Sequence, residues 1–343
     1  MLAGILHTTT GFARAQAVCT AVELDLFTVL DTAPATEAEL RRGLRLNGRG
    51  LGDLLALLVE LGLLREDDRR FRNSPAASRH LVAGRPGYVG GALLGAKANL
   101  YPLWAGLADT LRTGIPRSAD DDFAAMLDDP PALRRYAAMM AGAVRPVLPG
   151  LLKAVDWTAR TDVLDVGGCR GDLVAHLVRA HPTLRGHVFD LPQLAPVFAE
   201  HMAAAGAAST TRFHAGDFFR DPLPGADVVI LGHVLHNWPA ARREELLRKV
   251  YAALPANGVL LVYDRMLDEA RSHVENLVAS LTMALVTADG AEYTASDLED
   301  MARGVGFTAA RRIRLDDNET LVVLTKPAGS DGGAMLERPS TSP

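Results

Sequence analysis

Two aspartates and two histidines stand just past short apolar runs, where an open α/β sheet does its chemistry. Asp190 ends Gly186-His187-Val188-Phe189, Asp217 follows the run 211–214, and His233 and His236 follow Val228-Val229-Ile230-Leu231. A carboxylate at the tip of the second strand of a βαβ unit can accept both hydroxyl protons of a ribose. An acid past the third strand can accept from an exocyclic adenine amine while Phe218 packs on the base. A plain Asx turn is the alternative reading of Asp217. An imidazole at the sheet edge can move a proton near neutral pH. His236 is the stronger candidate, because His233, closer to the strand, suits packing or the wall of the cofactor pocket.

These groups need a scaffold, and Thr161 to Asp190 supplies its beginning. Val163-Leu164-Asp165-Val166 reads as a buried parallel strand. Gly167, Gly168 and Gly171 follow as a turn that something can approach closely. Leu173, Leu177 and Val178 then recur at helical spacing. A dinucleotide fingerprint would need its first glycine at Val166, so that motif fails. The compact Gly-Gly-x-x-Gly loop instead suits an adenosine ligand with no pyrophosphate, such as S-adenosylmethionine. Glycine turns of this kind are common in α/β folds, so it is Asp190 and Asp217 after successive strands that give the loop its meaning.

Strands and helices alternate from Asp156 to Pro327, which predicts a mainly parallel sheet covered on both faces. The expected strands are 162–166, 186–190, 211–214, 227–231, 258–263 and 320–325. Residues 1–90 read as a helical domain ending in a small hairpin at Leu63 to Arg72, with a capping-box start at Thr36 and Glu39 and a Gly62 C-cap. Residues 91–155 read as a further helical segment, with helices over Gly90–Leu111, Phe123–Leu127 and Leu133–Val147. Its large apolar side chains are mostly core. Met139, just before the nucleotide domain, is placed on the wall of a flat substrate pocket. The Gly/Ser/Pro-rich end, 328–343, is expected to be disordered.

Composition narrows the function. The chain has 343 residues and a formal charge of −5, so no global basic field points to nucleic acid. Helix, helix, hairpin resembles a winged helix. Thr36 to His80 nevertheless carries nine arginines against seven interleaved acids, which favours subunit pairing over DNA contact. Two cysteines make no disulfide framework, and no Cys/His spacing suggests a metal. No leader pattern and no apolar stretch long enough to span a bilayer is present. The expectation is a cytoplasmic homodimer without membrane, metal or nucleic-acid partners.

Taken in order, DVGGCRG, FDLP, GDFF and HVLHNW resemble the S-adenosylmethionine-dependent small-molecule O-methyltransferases, typified by plant caffeate and flavonoid enzymes and bacterial polyketide-tailoring enzymes. The resemblance covers essentially the whole chain. It implies a Rossmann-like class I methyltransferase domain with a seven-stranded, mainly parallel sheet, and an N-terminal winged-helix-like dimerisation domain. It implies that Gly167, Gly168 and Gly171 surround the methionine end of the cofactor, Asp190 holds the ribose, and Asp217 with Phe218 holds the adenine. Leu191 and Gly232 join that pocket. His236 would be the general base, flanked by Asp264 and Glu292. Met283 would pack on an aromatic or polyketide-like acceptor, with Trp238 and Met139 beside it. Cys169 and Arg170 depart from the usual small loop residues, Asp264 replaces the commoner Glu, and Asn237 the usual Asp.

The resulting mechanism aligns an oxygen nucleophile with the methyl–sulfur bond, yields S-adenosylhomocysteine, and uses His236 to take the hydroxyl proton. Two alternatives stay open. The same fold and cofactor could serve C- or N-methylation, or a hydroxylation, decarboxylation or pericyclic step. The chain could also be a winged-helix regulator that senses an adenosine ligand.

Overall fold

The computed structural model describes residues 2–85, 87–118, 120–270, 273–308 and 310–328. It divides into two compact units, one of residues 1–105 with 138–142, the other of the remainder. The tail expected to be disordered lies, from residue 329 on, outside the described residues.

The first unit is helical. Gly11–Glu23 and Leu26–Thr32 are separate helices, parted where Asp25 turns left-handed (φ 54°). The Thr36/Glu39 capping box forms as expected: the Glu39 backbone N–H donates to Thr36 Oγ1, and the Thr36 N–H donates to Glu39 Oε2 at 2.7 Å. Leu51–Glu60 ends on Gly62 at φ +70°, a left-handed cap. The hairpin pairs β1 (Leu64–Asp67) with β2 (Arg70–Asn73). Both residues of its turn, Asp68 and Arg69, have positive φ, as a two-residue hairpin of matching twist requires. Leu26, Phe27, Leu40, Leu55 and Leu58 form the core. The long helix expected over 90–111 is instead Gly90–Trp104 and Leu107–Thr113, broken around Gly106.

In the second unit the sheet comprises β3 (Asp162–Val166), β4 (Arg185–Asp190), β5 (Thr211–Ala215), β6 (Val228–Gly232), β7 (Val259–Asp264), β8 (Ala310–Arg314) and β9 (Thr320–Thr325). Their spatial order is β5-β4-β3-β6-β7-β9-β8. The first five of these strands run parallel, and β9 and β8 close one side antiparallel. The chain moves outward from β3 through β4 and β5, then returns to β6 on the other side. A topological switch, with its crevice at the strand ends, therefore falls between β3 and β6.

Side chains alternate along the central strands between two cores. Leu164, Val166, Val229, Leu231, Leu260 and Val262 face one. Val163, Val228, Ile230, Val259 and Leu261 face the other. Burial on both faces is why these runs are continuously apolar. β8 was not among the strands expected from sequence. Its residues are Ala-Arg-Arg-Ile-Arg, mostly exposed at the sheet margin, where charge guards an open edge and erases the apolar signal.

Candidate active site

Every expected site residue except Met139 lies in the second unit, and most stand at the C-terminal ends of its parallel strands. After β3, Gly167 and Gly171 take left-handed φ and bracket the loop, and Gly171 immediately precedes the helix Asp172–Ala180. Gly168 has no room for a side chain, since a Cβ there would sit 2.6 Å from Asp165 Oδ2. The loop closes back onto Asp190. That carboxylate is buried at the tip of β4 and accepts the Cys169 N–H at 2.8 Å and the Leu191 N–H at 2.7 Å. Burial raises its pKa to about 6, with the two backbone donors pulling the other way.

The unusual loop residues have local explanations. Arg170 clasps Asp172 through Nε at 2.7 Å and Nη2 at 3.0 Å, so its charge is neutralised within the loop. Burial pushes the Cys169 thiol up to about 12, which keeps it protonated and unreactive. Asn237 donates to the carbonyls of His233 and Val234, tying down the turn that carries His236. An aspartate could not donate there.

Asp217 makes the Asx turn weighed above: its Oδ1 accepts the Phe219 N–H at 2.8 Å. Arg220 Nε stands 3.4 Å from the other oxygen. Phe218 and Phe219 pack edge-on with Trp238, at 6.0 and 4.6 Å between ring centroids. Trp238 thereby joins the aromatic side of the Asp217 loop. Gly232, at the end of β6, is paired with Tyr263 in β7, and a methyl group on it would fall inside the Tyr263 ring. Met283 lies on the helix Val274–Val286. Met139 belongs to the first unit, on the segment 138–142.

The histidine cluster is the densest polar feature. His236 sits on a short turn just after β6, its side chain 12% exposed, with Nδ1 2.8 Å from Glu292 Oε1 and 3.6 Å from Asp264 Oδ1. Burial alone would favour the neutral ring most strongly, yet Asp264 and Glu292 together outweigh it and raise the pKa to about 9. Asp264 ends β7 fully buried, and burial raises it to about 6 against the pull of His236. Its Oδ2 accepts the Tyr293 hydroxyl at 2.5 Å, while Oδ1 has no hydrogen-bond partner. Its short side chain explains the division of labour: Glu292 makes the direct contact to His236 and Asp264 stands off.

Residues that sequence reasoning did not select complete the arrangement. Tyr293 orients Asp264, and Arg243 lies over the Tyr293 ring, 4.4 Å from its centroid. Arg243 is itself held by the carbonyls of Leu235 and Ala291. Its sequence signal was its place three, four and seven residues before Leu246, Leu247 and Val250, the buried stripe of the helix Ala240–Ala253. Glu319, just before β9, accepts from Arg265 Nε at 3.2 Å and stands 3.6 Å from His233 Nε2. Asp165 lies in the apolar run itself. Burial, reinforced by Asp190 and Asp172, raises it to about 8.

A loop tied to a ribose-height carboxylate, an aromatic shelf, and a histidine gripped by acids across the same sheet edge can hold an adenosine cofactor beside a base. The chain matches the O-methyltransferase domain family over residues 104–308 and the O-methyltransferase dimerisation domain over residues 6–83. It is 43% identical to the tetracenomycin polyketide synthesis 8-O-methyl transferase TcmO of Streptomyces glaucescens, over 94% of this chain and 96% of that one. It is 37% identical to the N,N-dimethyltransferase OxyT of Streptomyces rimosus, with the same coverage. Among solved structures, human N-acetylserotonin methyltransferase in complex with SAM superposes with a TM-score of 0.88, at 26% identity and over 95% of this chain and 98% of that one. Fold and sequence agree, and the chain belongs to the S-adenosylmethionine-dependent O-methyltransferases.

Proposed function

We propose that this enzyme methylates a phenolic hydroxyl of a polyketide-like aromatic metabolite, with His236 as general base. The observation that carries the reading is the 2.8 Å contact of His236 Nδ1 with the buried carboxylate of Glu292. It fixes the ring so that Nε2 is the nitrogen left for the acceptor. Bound S-adenosylmethionine supplies an electrophilic methyl group on a sulfonium. The acceptor proton passes to Nε2 as the oxygen attacks, and Glu292 and Asp264 stabilise the imidazolium that forms. Gly167, Gly168, Gly171, Asp190, Leu191 and Gly232 bind the cofactor, with Asp217 and Phe218 at the adenine. Met283 and Trp238 face the acceptor.

Support for the acceptor class comes from TcmO, which is named for 8-O-methylation in polyketide synthesis. A homodimer fits the dimerisation-domain match and the exposed Leu2, Ile5 and Leu6 of the helix Leu2–Thr9 and Phe12 of Gly11–Glu23. The described residues contain no helix long and apolar enough to cross a membrane. His236→Gln tests the base: turnover should drop about 10²- to 10⁴-fold while S-adenosylmethionine affinity is kept. Unchanged turnover removes the assignment. N-methylation is the second reading, favoured by the similarity to OxyT. A panel of matched phenols and arylamines separates the two, because only the true acceptor class yields S-adenosylhomocysteine in proportion to methylated product.

A further inference from the structure

We propose that His233, His236 and Asp264 form an inhibitory site for a zinc-class divalent cation, which switches off the base by occupying its back nitrogen. Asp264 Oδ1 stands between the two rings, 3.6 Å from His236 Nδ1 and 3.7 Å from His233 Nδ1. One ligand atom from each of the three residues lies within 4.8 Å of the others. Three atoms so spaced surround a point about 2.4 Å from each. Zinc bonds of ~2.0–2.2 Å then require only a few tenths of an ångström of side-chain movement.

A second observation points to a ligand. Asp264 is fully buried, yet its Oδ1, the oxygen facing both rings, has no hydrogen-bond partner. Glu292 Oε2 is likewise buried and unpartnered, on the carboxylate whose other oxygen meets His236 Nδ1. Buried carboxylate oxygens rarely go unpaired, and a cation between the two rings would satisfy Asp264 Oδ1. Glu292, already in contact with His236 Nδ1, supplies a fourth oxygen. The donor set of two imidazoles and two carboxylates suits zinc or cobalt.

His233 is held there at some cost to its backbone. Its φ is +54°, in the left-handed region that few side chains adopt, His among those that do so more readily than most. The position directly follows β6, and its N–H is fastened to the Tyr263 carbonyl at 3.0 Å. Strain of this kind is kept where a side chain must be aimed. Here it aims an imidazole at a carboxylate, 3.7 Å apart, too far for a direct hydrogen bond.

The consequence for turnover rests on the reading of His236 as base. A cation at Nδ1 displaces the proton from that nitrogen and forces the remaining one onto Nε2. Nε2 then donates and cannot accept from the acceptor hydroxyl. No bond to the cofactor changes, so the cation should compete with turnover and leave S-adenosylmethionine binding intact.

The test uses the full chain without an affinity tag. Cobalt(II) added to the protein should give the intense visible bands of a four-coordinate site, and EDTA should remove them. The variant H233N keeps a residue that tolerates the left-handed backbone. It should keep the wild-type fold by circular dichroism, lose the cobalt bands, and need at least tenfold more zinc to halve its own metal-free rate than the wild type. Zinc K-edge absorption on the wild type adds a measurement that needs no variant, and two imidazoles without sulfur are expected. No four-coordinate cobalt spectrum, a sulfur ligand, or equal zinc sensitivity in wild type and H233N would overturn the proposal. Because spectrum and edge need no acceptor, an enzyme inactive on every phenol but positive for both would fail the O-methylation reading alone.

Discussion

Glu292→Gln tests the electrostatics of the base. The ring is displaced from the ordinary 6.5 to about 9 by Asp264 and Glu292, against burial. At ~1.4 kcal/mol per tenfold, that is about 3.4 kcal/mol of preference for the imidazolium. A base works unprotonated, so a raised pKa puts the rising limb of kcat/KM on the alkaline side, with activity still climbing toward pH 9. Glutamine keeps an oxygen 2.8 Å from Nδ1 but removes the charge. Exchanging a charge-assisted bond for a neutral one costs about 1–1.5 kcal/mol, so the limb should move about one pH unit toward acid. The limiting rate at high pH should fall several-fold, because the cation that forms is less stabilised, while the rate at pH 7 changes little. Initial rates of S-adenosylhomocysteine release between pH 6 and 10, fitted for wild type and variant, give the comparison. A limb that stays in place with a uniformly lower rate would refute the argument and leave Glu292 a packing residue.

Further perturbations probe the frame. Asp190→Asn replaces an acceptor of two backbone N–H groups with an amide that can satisfy one; S-adenosylmethionine affinity by calorimetry should fall at least about thirtyfold, as expected for a lost charged hydrogen bond of ~2 kcal/mol. Since wild-type Asp190 titrates near 6, wild-type affinity should also weaken as pH drops below that value, where the carboxyl becomes protonated; a flat profile from pH 5 to 8 would count against Asp190 as the ribose acceptor. Gly232→Ala forces a methyl group into the Tyr263 ring. Overpacking of this sort costs ~1–3 kcal/mol, to be read as a lower midpoint in urea, and an unchanged midpoint would show that β6 and β7 can part there.

Much of this was legible in the sequence because the informative groups sit in fixed registers. Asp190, Asp264 and His236 end or follow apolar runs, and a buried parallel strand leaves little choice about where its last residue points. The capping box and the hairpin turn were legible for a similar reason, as local chemistry sets them. What escaped depended on distance through space. Nothing in Gly290-Ala-Glu-Tyr-Thr294 shows that the Tyr293 hydroxyl will reach Asp264, 29 residues away. β8 was hidden because an edge strand with three arginines has no alternation to read. Asp217 was open to two readings, and its Oδ1 does cap Phe219. Its proposed adenine contact therefore falls to Oδ2.

The reversed direction of β9 has a practical corollary. Asp264 lies opposite Thr320, and Val259 opposite Thr325. The strand thus enters beside the histidine cluster, delivering Glu319 there, and exits at the sheet's far rim. A reporter or surface anchor joined after Lys326 would start about five residue lengths from His236's neighbourhood, roughly 17 Å along a strand. An anchor there should leave the histidine cluster undisturbed, whereas insertions between Arg314 and Glu319 would fall beside Glu319, which stands 3.6 Å from His233 Nε2.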